Sequence, residues 1–202
     1  GVNENGVTDE TCDYNPKTEH SAYASSKHFS EMEVWRASAE GMNVAIVNPG
    51  IIIGSGNWAA SSGTIFKKYL ENSYSFSGST AYVDVRDVAK ISVDLLAKNI
   101  FGKRFILTSE NVKYYEMANM IRQKAGLKDV ELAPLNVLKA GIVLNKLFGW
   151  LIPPLRMATK TNIEAITTDS KISNQKIANL LDYKFITVED SVNFHLKNYL
   201  SR

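Results

Sequence analysis

The chain has 202 residues, 45% hydrophobic and 22% charged, a composition that excludes a disordered polymer and allows one substantial core or two small ones. Its 23 Lys+Arg against 21 Asp+Glu leave a formal charge of +2, too small for a sequence-independent hold on a phosphate backbone or an anionic bilayer, so no nucleic acid and no membrane is expected as partner. One cysteine, Cys12, cannot close an internal disulfide, and no Cys/His grouping has metal-ligand spacing, so the chain reads as intracellular, cytoplasmic and metal-free.

Residues 1–17 combine glycine, proline, three Asn and four acids without an apolar period, which reads as a surface loop and not as a signal peptide. Strong helix formers dominate 21–40, and Gly41 stands where a C-cap belongs. The run 42–47 (MNVAIV) has the β-branched, wholly apolar character of a central parallel strand covered on both faces, closed by Asn48, Pro49 and Gly50. A loop rich in Gly and Ser leads to a helix over 61–72. A short strand at 82–85 then feeds a helix over 86–98, and a strand at 105–108 is followed by a helix over 114–124.

Beyond residue 125 the spacing is helical, over 136–151, 170–181 and 188–200, with Asp169 and Thr187 as N-caps of the last two. The most apolar window, 135–152, is broken by Lys139 and Lys146 and ends at Pro153 and Pro154, which suits an amphipathic helix better than a bilayer crossing. An α/β first half and a mainly helical second half put a domain boundary near residue 110.

Chemistry concentrates first at Tyr23 and Lys27, which a helix stacks one turn apart on one face. An ammonium beside a phenol favours the phenolate, so the pair can pass a proton to or from a carbonyl or alcohol oxygen. Spacing alone is uninformative, because a chain with this many Tyr and Lys contains about one such pair by chance. The stripe it lies on says more: Tyr23, Lys27, Ser30, Val34 and Ala37 share about a quarter of the helix circumference. Most of that stripe is small or apolar, so Lys27 would be partly desolvated unless it meets a partner, for which a ribose hydroxyl or a bound anion is one candidate.

A second candidate, Gly54-Ser-Gly56-Asn-Trp-Ala59, has the letters of the GxGxxA dinucleotide fingerprint. Its context fails. The glycines do not directly follow a strand, and residues 73–83 lack the acid that such a site needs about 20 residues on.

Taken together, four motifs in order resemble the extended short-chain dehydrogenases/reductases, or NAD-dependent epimerase/dehydratases, particularly their dihydroflavonol-reductase-like branch. Tyr23-Ala-Ser-Ser-Lys27 resembles the family's YxxxK motif. Val44-Ala-Ile-Val-Asn-Pro-Gly50, with Gly54 and Gly56, resembles its next strand and NPG loop. Val83-Asp-Val-Arg-Asp-Val-Ala89 resembles its VxVxDVA segment, and Ser170-Lys171 with 176–185 (KIANLLDYKF) resembles its C-terminal stretch, Asp182 replacing the usual glycine at a turn.

The resemblance implies an incomplete Rossmann-type parallel sheet over 1–110 and a small, mainly helical substrate-binding part over 111–202. It further implies NAD or NADP as cofactor, a small carbonyl or alcohol substrate, Tyr23 as the acid/base, and Lys27 on the nicotinamide ribose. Pro49, Gly50 and Ile52 would line the nicotinamide site, largely through backbone atoms. A nucleotide-sugar epimerase or dehydratase, or a noncatalytic binding protein, are the alternatives. Asp87 is expected to cap the helix beside Arg86 and Asp84 to be structural. Ser61, Ser62 and Thr64 either approach the cofactor or start a helix; Trp58 either closes over substrate or anchors packing. His20, His28 and His195 read as surface or helix-end residues without partners.

The resemblance begins halfway through the family pattern. The strands carrying the glycine-rich fingerprint would precede Gly1, so the chain is expected to be the C-terminal portion of a longer enzyme, inactive alone. Its sheet would be completed by an N-terminal fragment or by a rearranged oligomer, and helix-pair homodimers are common in the family.

Overall fold

Ser21 opens the first helix by accepting the Ala24 backbone N–H at 3.1 Å, and α1 (Ala22–Ala39) runs until Gly41, whose φ of +101° turns the chain out. These are coordinates of a computed structural model, and the described residues are all but Gly1, Glu19, Asn57, Ala60, Gly149 and Arg202, with the side chains of Ser61, Ser62 and Pro154 also outside the description. Two strands follow, β1 (Ala45–Pro49) and β2 (Ile51–Ile53), separated by Gly50 alone. The strand expected over 42–47 is thus displaced toward Pro49 and continues beyond Gly50 in a new pairing. Proline is tolerated because backbone N–H groups alternate along a strand. The Gly50 N–H reaches Leu107 O at 3.0 Å, so the Pro49 nitrogen faces the opposite edge, where no described strand pairs.

A 3-10 turn at Ser61–Thr64 leads into α2 (Ile65–Glu71), followed by β3 (Tyr74–Ser75), β4 (Ser79–Asp84) and α3 (Val85–Ala97). Next come β5 (Lys103–Leu107), β6 (Glu110–Lys113), α4 (Tyr114–Lys124) and β7 (Glu131–Leu132). The C-terminal part holds α5 (Leu135–Phe148), a 3-10 turn at Pro153–Met157, α6 (Lys160–Thr167), α7 (Gln175–Leu181) and α8 (Val188–Leu200).

The ladder β1–β5 is parallel, with Pro49 opposite Leu107. One residue later the chain changes partner: β2 runs parallel to β4 with Ile51 opposite Tyr82, and β6 closes the other side of β4 antiparallel. Gly50 makes that exchange possible. A Cβ there would lie 2.5 Å from Ala81 O, so only a residue without one lets the two backbones pass.

Two apolar clusters hold the layers. One lies under α2, α4 and α8 and contains Ile53, Phe66, Tyr82, Met117, Ile121 and Val192; the other joins α3 and α7 to β5 through Ile91, Leu95, Phe105, Leu107 and Ile177. The first cluster draws helices from the C-terminal part onto strands from the first half, so the two halves interleave. This mixed α/β build agrees with the expected fold class.

Three local expectations are corrected. The β1 strand is not covered on both faces; its residues are half-buried or exposed, with a single described partner strand. The helix expected over 170–181 begins only at Gln175, and Asp169 is no cap but pairs with Lys113 at 3.7 Å. Helix α6 and strands β2, β3, β6 and β7 were unforeseen, being short segments whose pairing partners lie far off in sequence. Asp182 takes a left-handed φ of +50° at the C-cap of α7, which explains why glycine is usual at that turn.

Candidate active site

Helix α1 lies over the face of the β1–β5 pair that carries Asn48 and Arg104, and between helix and strand runs a groove of about 810 Å³. Four residues of the stripe read from the sequence, Tyr23, Lys27, Ser30 and Val34, face into it, as do Asn48 and Pro49 from β1. The Lys27 ammonium stands 5.6 Å from the centre of the Tyr23 ring, and no hydrogen bond or ion pair to it is found among the described residues. Its three donors remain available in the groove.

The acid on this wall is spoken for. Glu31 accepts from Trp35 Nε1 at 3.2 Å, from Asn48 Nδ2 at 3.2 Å and from Arg104 Nη1 at 3.3 Å. Arg104 also donates to the carbonyls of Glu10 and Cys12, both at 2.8 Å, and so pins the N-terminal segment to β5. That cluster spans more than 70 residues of sequence and had no local signal. Tyr14 stacks on His28 with centroids 3.9 Å apart and on His20 at 4.1 Å, so neither histidine lacks a partner.

The desolvation that the stripe would impose on Lys27 is not supplied by these residues: its neighbour Tyr23 is 72% exposed and no residue of α1 is buried. Of the other residues expected around a nicotinamide, Pro49 shares the groove with Tyr23 and Lys27. Gly50 packs against Ala81 and the Thr108 methyl, and Ile52 sits in the β2–β4 ladder opposite Val83; neither lines the groove.

Whether the groove suits a nucleotide cofactor depends on the donors it offers. An ammonium with no hydrogen-bond partner among the described residues, a phenol one turn away and a proline backbone fit the ribose and ring end of a dinucleotide. A pyrophosphate needs a glycine turn opening onto a helix N-terminus, and the loop at Gly54 is not one. A Cβ on Gly54 would meet Val85 Cβ at 3.1 Å, and Ser55 is bonded to His195, so the described part of that loop is packed against α3 and α8. The residues present fit one end of such a cofactor only.

The VxVxDVA segment has a structural task. Asp84 caps α3 by accepting the Arg86 N–H at 2.8 Å, and its fully buried carboxylate also accepts from Arg86 Nη2, Ser191 Oγ and His195 Nε2 at 2.7, 2.7 and 3.2 Å. Burial pushes this carboxyl up, but the hydrogen bonds from Arg86, His195 and Ser191 outweigh it and hold the group well below the usual carboxylate range. Asp87 does not cap the helix. It is buried, accepts the Tyr183 hydroxyl at 2.7 Å and the Ile186 N–H at 3.0 Å, and burial raises its pKa. His195 is likewise corrected, being a buried link between Asp84 and Ser55 rather than a surface residue. Trp58 is a packing anchor, edge-on to Phe66 and Tyr199 at 6.0 and 5.1 Å.

Comparison with known proteins points the same way as the motifs. Residues 3–100 match an NAD-binding family model described as "Male sterility protein". The chain is 26% identical over 151 residues to sterol demethylase protein B of Methylococcus capsulatus, covering 72% of this chain and 45% of that protein. Its fold superposes on a nucleoside-diphosphate-sugar epimerase from Pseudomonas aeruginosa with a TM-score of 0.82 at 15% identity, over 100% of this chain and 63% of the other. It also superposes on yeast methylglyoxal/isovaleraldehyde reductase, solved with NADPH, with a TM-score of 0.59 at 17% identity, over 99% and 61%. The chain therefore spans less than two thirds of the length of each.

Proposed function

We propose that this chain, in fold and relatives an NAD-dependent epimerase/dehydratase-like short-chain dehydrogenase/reductase, is the proton-transfer portion of an NAD(P)-dependent oxidoreductase acting on a small carbonyl or alcohol substrate. The observation that carries the reading is the Tyr23–Lys27 pair, one helical turn apart with the ammonium 5.6 Å from the ring, in a groove shared with Pro49.

In this reading the Tyr23 hydroxyl hydrogen-bonds the substrate oxygen and gives it a proton during reduction, or takes one during oxidation. The Lys27 ammonium binds the ribose hydroxyls and so fixes the nicotinamide end against β1, with Pro49 as an apolar wall. The cofactor, when bound, supplies or accepts the hydride. The pyrophosphate cradle and the second neighbour of β1 come from sequence N-terminal to these residues. The free β1 edge, the unburied α1 and the 45–63% coverage of the relatives support that assignment. Such a completion also desolvates Tyr23 and Lys27, strengthening each electrostatic interaction in the groove.

The test is NADH and NADPH oxidation by the full-length protein over a panel of aldehydes and ketones, with Tyr23→Phe beside the unsubstituted enzyme. Equal rates in the two would remove Tyr23 from the reaction. A second reading, a nucleotide-sugar epimerase or dehydratase, draws support from the fold likeness to the Pseudomonas epimerase. It predicts turnover of a nucleotide sugar without net consumption of reduced cofactor.

A further inference from the structure

Helix α5 and the turn after it present an unusual surface. Leu138, Gly141, Ile142 and Asn145 form the inward side, where a Cβ on Gly141 would meet Ala158 Cβ at 3.3 Å and the Asn145 amide donates to Ala158 O at 3.2 Å. That contact fixes the rotation of the helix. At 100° per residue the opposite arc, about 140° wide, then holds Val137, Val143, Leu144, Leu147 and Phe148, each at least 44% exposed, together with the small Ala140 and one polar residue, Asn136, in the first turn. Trp150, just beyond the helix, is 77% exposed. Lys139 and Lys146, seven residues apart, lie together along one margin of the apolar arc.

The charge around this face is one-sided. Residues 135–157 hold three cations, Lys139, Lys146 and Arg156, and no acid, and Lys160 just beyond is paired with Glu164 at 3.7 Å. Removing those three from the total of 23 leaves 20 cations against all 21 acids elsewhere, so the rest of the chain is slightly net negative. The near-neutral total hides the local excess, and the expectation of no membrane partner rested on that average.

We propose that residues 135–157 form a membrane-docking face that lies in the plane of an anionic phospholipid surface. An apolar arc edged by lysines, with an exposed tryptophan at its end, suits the boundary between headgroups and acyl chains, where lysine stems lie along the apolar layer and the ammonium groups stay among lipid phosphates. The face lies on the membrane and does not span it, since no helix among the described residues is long and apolar enough to cross. A second copy of the chain is a poorer occupant, because symmetric pairing through this face would bring two sets of cations together with no acid between them. The inference stands on this surface alone and is independent of the oxidoreductase reading.

Vesicle flotation of the full-length protein tests it, using phosphatidylcholine vesicles with or without about 30% phosphatidylglycerol. Binding is expected to be about tenfold or more stronger to the anionic vesicles and to weaken with added salt. Leu144→Glu with Leu147→Glu should cut it by at least about tenfold, and Lys139→Glu with Lys146→Glu should erase the preference for phosphatidylglycerol. A brominated lipid should quench the unsubstituted protein more than Trp150→Phe, a readout that does not depend on the charged variants folding. Failure of the folded full-length protein to float would overturn the proposal, as would floating unaffected by both double substitutions. Conversion of a dimer to a monomer by the leucine substitutions, without lipid binding, would instead assign the face to a second copy.

Discussion

Ser55 Oγ lies 2.6 Å from His195 Nδ1, joining residues 140 positions apart, and the amide of Asn198 donates to the same oxygen at 3.0 Å. The order of protons follows. The Asp84 carboxylate can only accept, so Nε2 of His195 carries the proton between them, and in the neutral imidazole Nδ1 then accepts from Ser55, whose oxygen accepts from Asn198. Helix α8 is thereby tied to the loop after β2 and to the cap of α3 through one buried imidazole. His195→Ala removes this link and leaves Asp84 and Ser55 each one partner short, at an expected cost of about 1–3 kcal/mol. Urea unfolding of the full-length protein measures it, and an unchanged midpoint would show the link to be idle.

Asp84 makes stability depend on pH with a definite sign. Its folded-state pKa is held below the ordinary value, so its contribution is complete above the unfolded pKa of about 3.9 and is lost as pH falls toward the folded one. Thermal melts between pH 7 and 3 should show the unsubstituted protein losing stability in the acid range. Asp84→Asn should start lower at pH 7 and fall less steeply. Parallel curves would contradict the coupling.

Gly50→Ala should destabilise by about 1–3 kcal/mol, the usual range for overpacking, because the new methyl meets the Ala81 carbonyl inside a ladder whose backbone cannot swing aside. Gly56→Ala is a useful comparison, since nothing lies within 4 Å of its Cβ position and only its φ of +126° opposes the change. A Gly50→Ala protein as stable as the original would mean that the β1–β2 strand exchange is not as tight as described.

Arg122 is a buried cation with a capping task. Its Nη1 donates to the carbonyls of Tyr69, Leu70 and Asn72 at the end of α2, at 3.1, 3.1 and 2.9 Å, and its Nε reaches Lys128 O at 2.6 Å. Arg122→Met keeps the apolar stem and removes the donors, so it should cost about 2–4 kcal/mol through stranded carbonyls. Hydrogen exchange should show the loss first at 68–72; uniform protection loss would place the effect elsewhere.

Lys27→Met isolates the cofactor part of the proposed function. The full-length variant is expected to bind NAD(P)H about tenfold or more weakly, whereas Tyr23→Phe should lower turnover by about 10²–10⁴-fold with little change in binding. Equal cofactor affinity in Lys27→Met and the unsubstituted protein would exclude the ribose role.

Properties that depend on neighbours along the chain were legible in the residue order. The helix over 114–124, the Thr187 cap and the stripe from Tyr23 to Val34 each rest on periodicity or local hydrogen bonding, whereas the turn at Asp182 was legible only through the family resemblance. The alternation of strand and helix then carried the fold class, and the ordered motifs carried the family resemblance. Whatever needed a distant partner was decided only by the folded chain. A histidine at 195 reads as a surface residue until α8 lays it beside Asp84, and Asp87 reads as a cap until Tyr183 arrives from 96 residues away. The same holds for strand exchange at Gly50, visible in sequence only as a glycine, and for the outward turn of α5, where an apolar arc meets no described partner because the side with Gly141 and Asn145 is the one that packs against Ala158. Hydrogen-bond geometry and side-chain burial are set by three-dimensional neighbours, and sequence separations of 50 to 140 residues leave no periodic trace of them.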